Sequence, residues 1–82
     1  MAGDVNTDPQ SDERTAFVQS AVERHQASLL RYATRLLQGD EARAQDVVQD
    51  TFVRLFAQEP STVADHLAEW LFTVCRNRAL DC

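Results

Sequence analysis

Apolar residues return with a helical period along three stretches of this chain, and polar runs separate the stretches. From about Arg14 to Gln38, the residues Val18, Val22, Leu29, Ala33 and Leu36 share one stripe, which Phe17, Ala21, Leu30 and Leu37 widen. Arg24, Arg31 and Arg35 fall on a different face, with Ser20 and Ser28. Gly39 is placed to end this helix in a left-handed turn. Asp40 can cap the next helix, and Glu41 suits its positive end. That second helix is predicted from Glu41 to about Gln58. Ala44, Val48, Thr51, Phe52 and Leu55 form its core face and Phe56 its edge; Asp46, Gln49, Asp50, Val53 and Ala57 lie opposite. Pro60 disfavours helix at Glu59 and marks a connection. Thr62 and Asp65 have the spacing of a capping box, so a third helix is expected from near Asp65 to the chain end. Its inner stripe is Leu67, Leu71 and Val74, with Phe72, Cys75 and Ala79 as a second apolar line toward another neighbour. No run alternates with period two, so no strand is expected. The predicted class is all-α: a compact three-helix bundle, or four helices if the connection holds a short turn.

At 82 residues, 44% hydrophobic and 26% charged, the chain has the composition of one small soluble domain. Such a core supports a large catalytic cleft poorly, so binding is expected and an enzyme is not. The formal charge of −5 is unevenly placed. Asp4, Asp8, Asp12 and Glu13 stand in residues 1–13 without a basic group, and every base in the remainder is arginine. Residues 1–13 are therefore read as a disordered acidic leader and 14–82 as the domain. The total reflects the leader more than the domain, so it does not exclude nucleic acid, although it argues against tight sequence-blind DNA binding. Cys75 and Cys82, seven residues apart on one helix, would sit about 10 Å from each other. A disulfide spans at most about 7 Å, so both read as reduced thiols. With no signal pattern and no apolar run of membrane length, the expected location is the cytoplasm. His25 interrupts the first stripe and reads as a core-edge histidine. No zinc spacing, phosphate-cradling loop or nucleophile elbow occurs, so no metal or cofactor is expected.

Two surfaces remain as candidates. His66, Trp70, Thr73 and Asn77 are spaced i, i+4, i+7 and i+11, which makes a nearly straight line on the third helix. A large stacking plane flanked by donors and acceptors suits unpaired bases, and Arg76 and Arg78 beside it suit phosphates. On spacing alone, the commoner reading is a core-anchoring indole with a solvated margin. The outer face of the second helix, with Asp46, Gln49, Asp50 and Val53, suits an arginine-bearing protein partner. Its plainer reading is a solvated face with an Asp50–Arg54 pair one turn apart.

The sequence itself weighs more than its period. Three segments resemble region two of bacterial sigma factors, nearest to the extracytoplasmic-function group: Leu29 to Asp40 (LLRYATRLLQGD), Ala44 to Phe56 (AQDVVQDTFVRLF) and Glu69 to Asp81 (EWLFTVCRNRALD). The likeness runs from about Phe17 to Cys82, with the blocks in the family's order. It implies a promoter-recognition subunit of RNA polymerase. Asp46, Gln49 and Asp50, with Val53 beside them and Phe52 behind, would dock on the clamp coiled coil of the polymerase β′ subunit. Trp70 and Asn77, joined by Thr73, Arg76 and Arg78, would hold the melted non-template strand of the minus-ten element, and His66 is added to them by its spacing alone. The loop from Gln58 to Asp65 lies where the family captures a flipped base. An anti-sigma factor is a further partner of such domains, and a helical module that binds proteins without reading DNA is the alternative. Arg78 stands where an aliphatic residue is frequent, so its stem is expected along the apolar surface with its head in water. Family members continue with a basic segment and a region four. The helix that reaches Cys82 without a closing glycine or proline is as expected of a piece of a longer parent protein.

Overall fold

The structure, a computed structural model, describes residues 9–81, and the expected leader over 1–8 lies outside the described residues. Helix α1 runs Pro9–Leu36, α2 Glu41–Phe56, the short α3 Pro60–Val63 and α4 Leu67–Asp81, with a 3-10 turn at Ala64–His66 between the last two. No strand occurs among the described residues, so the all-α class holds, with α3 as the short extra helix in the connection. Helix α1 starts at Pro9 rather than near Arg14, which makes residues 9–13 helical instead of part of a disordered leader. A proline in the first turn gives up an N–H that has no intrahelical partner there anyway.

The turn between α1 and α2 is built on backbone geometry. Gly39 N–H donates to the Thr34 carbonyl at 2.8 Å and Gln38 N–H to that of Arg35 at 3.3 Å. This is the paired pattern of a Schellman close. The residue in its left-handed position is Gln38 (φ 57°), not Gly39 as the sequence suggests; Gly39 follows at φ 90°. Asp40 then caps α2 as expected, its Oδ1 accepting from Arg43 N–H at 3.2 Å.

The capping box at Thr62 and Asp65 does not form. Pro60 occupies the first turn of α3, so Thr62 is already helical and its N–H donates to the Glu59 carbonyl at 2.9 Å. Val63, at φ −109° and ψ −10°, ends that turn without a side-chain cap. The Arg14 guanidinium reaches Glu59 Oε1 at 3.1 Å and ties the start of α1 to this corner.

Helices α1, α2 and α4 enclose one core. Leu29, Leu55, Val63, Leu71, Thr51 and Cys75 are its largest fully buried side chains. Thr51 satisfies its hydroxyl by donating to the Val47 carbonyl at 2.8 Å, so its burial leaves no orphaned donor. Tyr32 of α1 meets Phe72 of α4 edge to face, with centroids 5.1 Å apart and planes at 75°. Two details depart from the sequence reading. Val47, assigned to neither face of α2, is buried, because α2 packs on both α1 and α4 and buries a wide arc. On α4 the inner line is Leu67, Leu71, Cys75 and Ala79, one residue per turn, and Val74 is only half-buried beside it.

Candidate functional site

Helix α2 turns the expected face outward. Asp46 and Gln49 are exposed, Val53 is 62% exposed, and Asp50 is half-buried. With Arg78 of α4, these four side chains line one open depression. Arg43, Asp46, Val47, Asp50 and again Arg78 line a second one next to it. The four residues thus come together as predicted, but the surface is not the acidic patch that the sequence suggests. Asp50 Oδ2 meets Arg54 Nε at 3.0 Å and Arg78 Nε at 2.6 Å. The hydrogen bond from Arg54 is the main reason the Asp50 carboxyl titrates below its usual range, and the Arg78 charge adds to it while partial burial opposes both. Three arginines (43, 54 and 78) therefore surround two aspartates on this face.

Beside it, Val18, Gln49, Phe52, Val53, Phe56 and Ala57 form an apolar groove between α1 and α2. Neither Arg43 nor this groove figured in the sequence reading. Arg43 stands three residues before Asp46 and seven before Asp50, which puts it on their face. Val18 belongs to another helix, and spacing within one helix gives no such neighbour.

On α4 the indole of Trp70 is half-buried: it packs against the core while part of it reaches the surface. The indole anchors the core, as the plainer reading expects, and still offers an exposed portion. Thr73, Asn77 and Arg76 are exposed along the same helix. His66 is exposed too, but it closes the 3-10 turn rather than starting α4, so the straight line begins at Trp70. Arg78 departs from the nucleic-acid strip. It is half-buried as the apolar-stem reading expects, yet its head sits on Asp50 across the α2–α4 seam. The physical reason is angular: residues 71, 74 and 78 share the side of α4 that turns toward the bundle, whereas 70, 73 and 77 lie about a third of a turn away.

Cys75 is a free, buried thiol, and burial pushes its pKa up. Cys82 lies outside the described residues. Among the described residues no group of three or more His, Cys, Asp or Glu side chains is arranged to hold a metal, and no helix is long and apolar enough to cross a membrane.

The fold is a small helical bundle, and its sequence places it in a family. Residues 21–82 fit the sigma-70 region 2 family, and the chain belongs to that family. The chain is 44% identical over 69 residues to proteins named ECF RNA polymerase sigma factor SigL from Mycobacterium tuberculosis, strains H37Rv, CDC 1551 and Erdman. The alignment covers 80% of this chain and 38% of those relatives, so the chain spans well under half their length. No solved structure matches.

Proposed function

We propose that this domain is the promoter-recognition part of an RNA polymerase sigma factor, acting in the cytoplasm by binding alone and without covalent chemistry. The outer face of α2, through Asp46, Gln49, Asp50 and Val53, docks on the clamp coiled coil of β′. The exposed portion of Trp70, with Asn77, Thr73, His66 and Arg76, then holds bases of the non-template minus-ten strand once they leave the duplex. The observation that carries this reading is the pairing of two outward surfaces on adjoining helices. One is rich in charge and amide groups, and the other has a partly open indole among exposed polar side chains. Capture of the unwound strand stabilises opening because only the melted state offers those bases. Stacking contributes about 1–3 kcal/mol per base, which is too little to open several pairs alone, so the polymerase must share the cost.

Two exposed residues separate the functions without touching the core. Asp46→Lys should weaken association with the polymerase core at least about tenfold, since it reverses a charge at the docking face. Asn77→Ala should leave that association intact and lower affinity of the assembled complex for a minus-ten strand by about two- to tenfold, the worth of one hydrogen bond. Equilibrium binding of both variants, with helicity checked by circular dichroism, is the test. Unchanged binding by Asp46→Lys would remove the docking claim. Because Arg78 is drawn off the strip, the reading as a protein-binding module without DNA readout keeps a specific basis; indifference of the complex to the minus-ten sequence would favour it.

A further inference from the structure

Arg78 stands in the stretch whose sequence suggests nucleic-acid contact, but its guanidinium serves the other surface. Its Nε meets Asp50 Oδ2 at 2.6 Å, the same oxygen that Arg54 Nε reaches at 3.0 Å. It lines both depressions on the outer side of α2, and none of His66, Trp70, Thr73 or Asn77 lines either. We propose that the docking surface is a composite of two helices, in which Arg78 of α4 is a positioning residue that fixes the Asp50 carboxylate rather than a contact to DNA. This rests on the docking role given to α2 above and says which residues complete it and what partner chemistry it fits.

The geometry supplies the reason. Arg54 lies one turn from Asp50 on the same helix, and such an exposed pair alone holds the carboxylate only weakly. A second guanidinium arriving from α4 adds an ion pair to that hold, so the carboxylate faces cations from two helices at once. The same contact changes what the face can bind. Two aspartates among Arg43, Arg54 and Arg78 form a surface of both signs, so a purely basic partner gains little from it. A complementary partner brings a basic side chain to Asp46 and Asp50 and an acidic one to Arg43 and Arg78, with an apolar group for Val53. The match is therefore to a polar helical surface of mixed charge, read by register rather than by net attraction.

The 82-residue chain and its variants, titrated against polymerase core and then, as the assembled complex, against a minus-ten strand, test this directly. Arg78→Ala should weaken core binding about tenfold, and Arg78→Lys should recover part of the loss. Strand affinity of the assembled complex should stay within about twofold, because no phosphate contact is removed. Arg78→Gln, which keeps the stem over the apolar surface, replaces the alanine variant if circular dichroism shows that one to be unfolded. Core binding by Arg78→Ala that equals wild type, with Asp46→Lys impaired, overturns the proposal. So does a loss confined to the strand, which would return Arg78 to DNA. Should Asp46→Lys also bind core normally, the docking reading of α2 fails first and this inference with it.

Discussion

Asp50 joins ionisation to packing. Arg54 and Arg78 both hold its carboxylate, and the pKa falls below the ordinary carboxyl range. A carboxyl whose pKa is lower folded than unfolded stabilises the fold above the unfolded value, about 3.9, and stops doing so as pH falls through the folded value. The difference in thermal midpoint between the wild type and Asp50→Asn should thus be constant from about pH 7 to 5 and shrink below about pH 4. A difference that persists undiminished to pH 3 would show that the two arginines leave the charged form no better off than water does. What the sequence hid at this scale was direction. Arg78 follows Asn77 by one residue, and only the way α4 turns against α2 decides that one points to solvent and the other to Asp50. Asp46 and Gln49, by contrast, were legible because an exposed position on a well-patterned helix needs no knowledge of its neighbours.

At the scale of elements, α2 was readable from its cap to its last turn, since Asp40, the apolar period and Pro60 act locally. The boundaries that failed are those where two local signals compete. Thr62 and Asp65 offer a cap, but Pro60 starts a helical turn two residues before Thr62, and the cap position is consumed. Gly39 offers the left-handed turn, but the hydrogen bonds from Gly39 and Gln38 place that conformation one residue earlier. Glutamine carries a Cβ that crowds the backbone at positive φ, whereas glycine does not. Gln38→Gly should therefore raise stability by about 0.5–1 kcal/mol, measurable as a higher urea midpoint with an unchanged slope. A lower midpoint would mean that the side chain of Gln38 contributes more than its backbone costs.

Over the whole molecule, three packed helices carry the outer face of α2 and the strip around Trp70 on one core. Core residues such as Leu71 and Cys75 lie on α4 directly beneath the strip that Trp70 and Asn77 expose, so the strip is supported rather than free to flex. The family was legible from the three sequence blocks, whereas the sharing of Asp50 between helices was not, because it is a contact between residues 28 positions apart. Trp70 is the one tryptophan of the chain, and its emission reports directly on whatever stacks against it. With a tryptophan-free β′ coiled-coil fragment bound, titration with the single-stranded minus-ten sequence should quench that emission saturably, and a scrambled strand should not. Emission that stays constant while anisotropy of a labelled strand shows full binding would contradict the placement of melted bases on α4.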